Sequence, residues 1–276
     1  MKFICPSQII QTAIAKAINS NFEILLEPRE ISINLCYPKY DCHYTSTIAL
    51  AISKRLGVDA WLIAEAIAQA CSQNLQISSQ WQLQAFGKGW LNISLREQYL
   101  YENLQDLDRW HPDGIDYHDG FWQKNNALNS ILLDPEPMLQ YAYARCSALM
   151  RLAGRENIDP TQYIYQAAKD ISNSVMPISM ITLGWMEPLE VSLFLQNLAT
   201  AEFLDLTNQD SLITEKSPVA SKLARSLTTA FLNFYDHCRI FGVSQEIALR
   251  RLLLIKVTQK LMLAIASPEI HYAMYL

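Results

Sequence analysis

Between residues 136 and 266, apolar positions recur every three to four residues with few interruptions, the spacing of helices that turn one face inward. This pattern predicts helices over Glu136–Ala153, Pro160–Ser174, Pro188–Ala201, Pro218–Phe241 and Ser244–Ala266. The first four are entered through Pro or Glu-Pro and the last through a Ser-x-x-Ile start. Short connections then imply an all-α bundle of antiparallel neighbours over residues 136–276.

Residues 1–104 are patterned differently. A helical period near Gln8–Ile18 gives way to strand-like runs at Phe22–Leu26 and Ile31–Leu35, then to helices around Thr45–Leu56 and Asp59–Cys71. Two alternating runs follow, Trp81–Phe86 and Trp90–Leu95, joined by Gly87-Lys88-Gly89, which is a hairpin signal. A helix from Arg96 closes an α+β domain of about a hundred residues. Between the two halves, "DLDRWHPDGIDYHDGFWQKNNALNSILLDPEP" has no sustained period and is rich in Asp, Gly, Pro and Asn, so residues 105–135 read as a linker with a short ordered turn around its aromatics.

Two stretches place polar or aromatic groups off the core side. In "LQYAYARCSALMR", the residues Leu139, Ala142, Tyr143, Cys146, Leu149, Met150 and Ala153 share an arc of about 120°. Tyr141 and Arg145 fall outside it, four apart, so an aromatic face and a guanidinium project from one turn. Two readings fit: a half-packed surface tyrosine beside a solvated arginine, or a pair that stacks on a base and meets a phosphate. In the strand Trp90–Leu95, alternation sends Leu91, Ile93 and Leu95 inward and Trp90, Asn92 and Ser94 to the other face. Trp90 and Asn92 could stack one unpaired base and read its edge, or Trp90 could pack beneath the following helix.

Composition narrows the class. The chain has 276 residues, half of them hydrophobic and 18% charged, which is a folded protein rather than a disordered one. No apolar run reaches the roughly 20 residues of a membrane span, and Pro6, Ser7, Gln8 and Gln11 interrupt any signal-peptide core. A cytoplasmic location with no membrane partner is expected. The net charge of −5 is concentrated in residues 105–135, where two Lys/Arg face six Asp/Glu, so neither flank strongly opposes a polyanion. Six cysteines contain no CxxC, and several fall on apolar faces, so neither disulfides nor zinc is expected.

Candidate reaction chemistry is sparse. His111, Asp113, Asp116, His118 and Asp119 lack a defined metal-ligand spacing and read as solvated linker residues. His237 and Cys238 are adjacent, and neighbours on a helix point about 100° apart, so they do not form a nucleophile and its base. The sequence has no GxSxG, P-loop, GxGxxG or HExxH. No cofactor is expected.

Taken together, "LQYAYARCSALMRLAG" (139–154), "FLNFYDHCRIFG" (231–242) and "ALRRLLLIKVTQKLMLAI" (248–265) resemble, in order and spacing, the all-helical DALR anticodon-binding domain of arginyl-tRNA synthetase. "YTSTIALAISKRLGVDAWLIAEAIAQ" (44–69) and "AFGKGWLNISL" (85–95) resemble the additional N-terminal domain of the same synthetase, which contacts the elbow of the tRNA. The family carries a catalytic Rossmann domain with HIGH-type signatures between the two, and about thirty linker residues are too few for a nucleotide-binding α/β domain. The resemblance therefore implies a non-catalytic paralogue that is not an enzyme. It also implies that Tyr141, Arg145 and Tyr235 line an anticodon surface and that Trp90 and Asn92 sit where a D-loop base is read. The implied partner is tRNA, arginine-type above all, rather than DNA. The alternative is a repurposed interaction module, forming a homodimer or joining arginyl-tRNA synthetase. Two departures from the family stand out: Cys42-His43-Tyr44 replaces a usual Gly-Asp-Tyr, and the chain ends "ASPEIHYAMYL" instead of an Ala-Pro-Glu-Arg-Met tail.

Overall fold

The structure, a computed structural model, describes residues 5–36, 42–110, 115–118, 121–124, 137–160, 187–209 and 218–265. The helix expected over Pro160–Ser174, the C-terminal "ASPEIHYAMYL" and the residues His111, Asp113 and Asp119 lie outside these. The chain divides into two units, Ile4–Asn103 and Leu104–Leu276, the latter with Met1–Phe3.

The first unit is a four-stranded antiparallel sheet of order β1-β2-β4-β3, formed by Asn34–Leu35, Tyr44–Ser46, Trp90–Leu95 and Trp81–Phe86 respectively. Strand alternation sets its two faces. Leu83, Ile93 and Tyr44 are cross-strand partners on the inner face, and all three are buried. They share a core with Ile10, Ile14 and Ile18 of α1 (Pro6–Phe22) and with Ile63, Ala64 and Ile67 of α3 (Ala60–Ser72). The Asp59 side chain accepts from the Trp61 amide at 2.8 Å and caps α3. Helix α2 (Ile48–Leu56) ends on Gly57, whose left-handed φ of 68° closes the C-terminus. Helix α4 (Leu75–Gln80) leads into β3, and α5 (Glu97–Arg109) follows β4.

Three expectations for this unit are corrected. Phe22–Leu26 is not a strand: α1 runs to Phe22, and the Asn19 side chain bonds both N and O of Leu26, turning the chain back along its own helix. Tyr44–Ser46, expected to border or begin a helix, is instead a buried strand paired with β4, because tertiary pairing overrides local preference. The expectation of no disulfides also fails, since Cys36 and Cys42 are bonded, with Cα atoms 6.3 Å apart. The β1–β2 pairing sets Cys36 beside His43 across the hairpin, whose carbonyl accepts from the Cys36 amide. That proximity comes from strand register and leaves no CxxC trace. The other cysteines, Cys5, Cys71, Cys146 and Cys238, are buried.

The second unit is helical: α6 (Pro137–Arg155), α7 (Pro188–Gln209), α8 (Pro218–His237) and α9 (Gln245–Ile265), with the last two turns of α5 and a hairpin of β5 (Ile115–His118) and β6 (Phe121–Lys124). Leu104, Leu107 and Trp110 are buried, so the start of the expected linker forms part of this core.

Every residue of α9 from Ala248 to Ile265 is buried, including Arg250, Arg251, Lys256, Thr258, Gln259 and Lys260. Each of these polar groups meets a partner on a surrounding element. Glu190, fully buried near the start of α7, pairs with Arg250 at 3.1 Å and Arg251 at 2.7 Å. Its other role is to accept the Glu187 amide at 2.6 Å, capping α7. Arg251 also donates to the Arg239 carbonyl just beyond α8. Thr258 and Asn197 exchange hydrogen bonds, and Gln259 donates to the Ser147 hydroxyl. Lys256 pairs with Asp108 at 3.0 Å. Lys260 donates to the carbonyls of Leu107, Asp108 and Trp110 at 2.6, 3.1 and 2.6 Å, neutralising the negative C-terminal end of α5.

Glu190→Ala leaves two arginines buried without their carboxylate, and a loss of about 3–5 kcal/mol is expected in chemical denaturation. Lys260 supplies a pH test. Burial pushes its ammonium down to about 7, while Asp108 opposes the shift and Lys256 reinforces it. Because an unfolded lysine titrates near 10.4, the unfolded chain binds more protons between about pH 7 and pH 10. Stability relative to Lys260→Met is therefore expected to rise over that window, to fall as pH returns to 7, and to stay level below it. Paired denaturation curves at pH 7, 8.5 and 10 check the sign.

Candidate nucleic-acid interface

The β3–β4 hairpin is built so that its tip is fixed. Gly87 and Gly89 both have positive φ, 57° and 106°, as a three-residue loop requires. A Cβ on Gly89 would fall 2.8 Å from the backbone carbon and oxygen of Ala60, so only glycine lets the turn seat on the start of α3. Register then places Phe86 directly opposite Trp90, both exposed on the outer face. With Thr45, Gly87, Lys88 and Asn92 they line a cavity of about 240 Å³.

Trp90 is 42% exposed and does not pack beneath the following helix. Asn92 stands beside it, its Oδ1 3.4 Å from the Thr45 hydroxyl, which also lies 3.1 Å from the Leu91 carbonyl. The cavity thus combines two aromatic walls, an amide and a lysine. Thr45, Phe86 and Lys88 were not singled out from sequence, although counting outward from the Gly-Lys-Gly turn would have paired Phe86 with Trp90.

The second site lies on the helical unit. On α6, Leu139, Ala142, Tyr143, Cys146 and Ala153 are buried, as the helical arc requires, and Leu149 and Met150 are half-buried. Tyr141 and Arg145 are exposed on the opposite side. The Arg145 guanidinium carbon sits 4.9 Å from the Tyr141 ring centre and 6.0 Å from that of Tyr235 on α8. Both distances fall within cation–π range. Tyr235 is itself stacked on buried Phe231, with centroids 6.0 Å apart and ring planes 23° apart. A hydrogen bond with Tyr141 holds Arg145 above its ordinary value, with electrostatic interaction with Tyr235 adding to it. The structure therefore brings together the three residues predicted from distant parts of the sequence, as an arginine within reach of two phenol rings.

His237 and Cys238 do not cooperate. His237 is exposed and its Nδ1 bonds the Asn233 carbonyl at 2.8 Å, while Cys238 is buried and burial pushes its thiol up.

Residues 8–95 match the family described as arginyl tRNA synthetase N terminal domain, and residues 139–266 match the DALR anticodon binding domain. No curated protein matches the chain. The chain belongs with the arginyl-tRNA synthetase domains, and no catalytic domain fits in the interval between the two matches. Among the described residues, no helix is long and apolar enough to cross a membrane.

The two faces of α6 should separate in a melting experiment. Tyr143→Ala removes a fully buried ring and is expected to cost about 3–5 kcal/mol. Tyr141→Ala should change stability by less than about 0.5 kcal/mol.

Proposed function

We propose that this chain binds tRNA without charging it, using the N-terminal unit at the tRNA elbow and the helical unit at the anticodon loop. The observation that carries the reading is the Tyr141–Arg145–Tyr235 cluster, set within the anticodon-binding domain and held outside the core. Aromatic faces accept any unpaired base by stacking, and an exposed guanidinium beside them, with five N–H donors, has donors left for a phosphate. The Phe86–Trp90 cavity supplies the second contact, with Asn92 reading a base edge and Lys88 near the backbone. Arginine-type tRNA is the ligand in this reading, the protein is cytoplasmic, and arginine-dependent ATP–pyrophosphate exchange is absent.

A second reading, an interaction module that no longer binds RNA, is favoured by one feature. Helix α3 exposes Trp61 and Leu62 at 39% and 58%, beside β3 at the edge of the sheet. A second copy of the chain or arginyl-tRNA synthetase would be the partner.

Anticodon binding predicts that Tyr141→Ala and Tyr235→Ala each weaken tRNA affinity by about 1–3 kcal/mol. Arg145→Ala should in addition flatten the dependence of log affinity on log salt by about one unit. Filter binding of arginine-type tRNA across a salt series measures both. If all three variants bind as the parent does while a protein partner is lost, the interaction module is the correct reading.

A further inference from the structure

The outer face of the sheet is organised in rows that continue beyond the Phe86–Trp90 cavity. Asn34 pairs with Thr45, Thr45 with Asn92, and Asn92 with Gln84, so one row of uncharged hydrogen-bonding side chains crosses all four strands. Two residues further along β3 and β4, Gln82 is opposite Ser94, which forms another such row. Phe86 opposite Trp90 is the row on the other side. Directly opposed residues share a face, and exposure of Gln82, Gln84, Phe86 and Trp90 against burial of Trp81 and Leu83 identifies it as the outer one.

None of these three rows contains a carboxylate, although the chain as a whole is acidic; Lys88 stands beside the aromatic row, and Glu65 of α3 lines a cleft with Gln84 at the sheet edge. Successive rows on one face are about 7 Å apart. That step is comparable with the repeat of an unstacked polynucleotide strand. Aromatic side chains followed by neutral amides and hydroxyls on an open antiparallel sheet suit single-stranded RNA, whose bases stack and whose edges both donate and accept.

We propose that the outer face of the sheet takes a run of three unpaired nucleotides, one per row, with the first stacked at Phe86–Trp90 and the third held by Gln82 and Ser94. This rests on the tRNA-binding reading and extends its elbow contact from one base to a short strand. Thr45 acts as a positioning residue in the middle row, its hydroxyl held by the Leu91 carbonyl at 3.1 Å and lying 3.4 Å from Asn92 Oδ1.

The test uses the full chain and oligouridylates of one to four nucleotides, each competing against labelled arginine-type tRNA. Apparent affinity should rise with each nucleotide up to three and then level off. Gln82→Ala with Ser94→Ala should weaken the trimer about three- to tenfold, the loss of one or two hydrogen bonds, and leave the dimer unchanged. Trp90→Ala should weaken all lengths, and Thr45→Val should weaken dimer and trimer while sparing the monomer. If the Gln82/Ser94 variant binds the trimer as the parent does while Trp90→Ala still weakens tRNA, the face reads one base: the three-row inference falls and the tRNA reading stands. If the parent binds neither tRNA nor any oligonucleotide, both fall together. Capture of a peptide at this face that oligonucleotides cannot displace would also overturn the inference.

Discussion

The helical unit depends on the pairing of Glu190 with Arg250 and Arg251 across its interior. A helix buried on all sides needs no polar face, yet α9 carries cationic groups at four buried positions, Arg250, Arg251, Lys256 and Lys260. Such groups are tolerable only where each finds a fixed acceptor. The acceptors come from different places: a carboxylate on α7, the carbonyl ends of α8 and α5, and Asp108. Apolar packing alone would allow α9 to rotate or slide by a turn. The polar contacts specify one register, because shifting the helix would leave several charges buried without partners.

That register has a bearing on the candidate RNA surface. Helix α6 is fixed by its own buried arc and by the Ser147–Gln259 hydrogen bond, and α8 by Phe231 and Phe234 in the core and by Arg251 at its end. Arg145 and Tyr235 lie on different helices, so their spacing follows from how those helices pack. A guanidinium 4.9 and 6.0 Å from two ring centres is thus prearranged, and little ordering remains to be done when a ligand arrives.

Periodicity made the helical unit legible because its inward faces are long and regular: α6, α7, α8 and α9 all begin within about two residues of the expected positions. It also separated Tyr143 from Tyr141, and Leu91 from Trp90. Short elements were not legible. Tyr44–Ser46 is three residues long and buried throughout, so no alternation marks it as a strand. The turn after α1 depends on Asn19 reaching Leu26, which no periodic signal carries. Register was the larger omission. The Cys36–Cys42 bond, the Phe86–Trp90 pair and the polar row through Thr45 and Asn92 all follow from which residues stand opposite one another, and strand pairing is a non-local property. Buried charges on α9 were equally silent, since a lysine or arginine in sequence looks solvated until a partner is seen.

The division of α6 into a packed side and an open side also governs how the protein can change over generations. Tyr141 and Arg145 stand outside the core, so drift at these positions meets little structural resistance, whereas Tyr143 and Cys146 are constrained whatever the protein does. Among descendants of this chain, persistence of an aromatic at 141 and a guanidinium at 145 would therefore record selection for a ligand, and their loss would record its abandonment. The fold itself would be silent on which had happened.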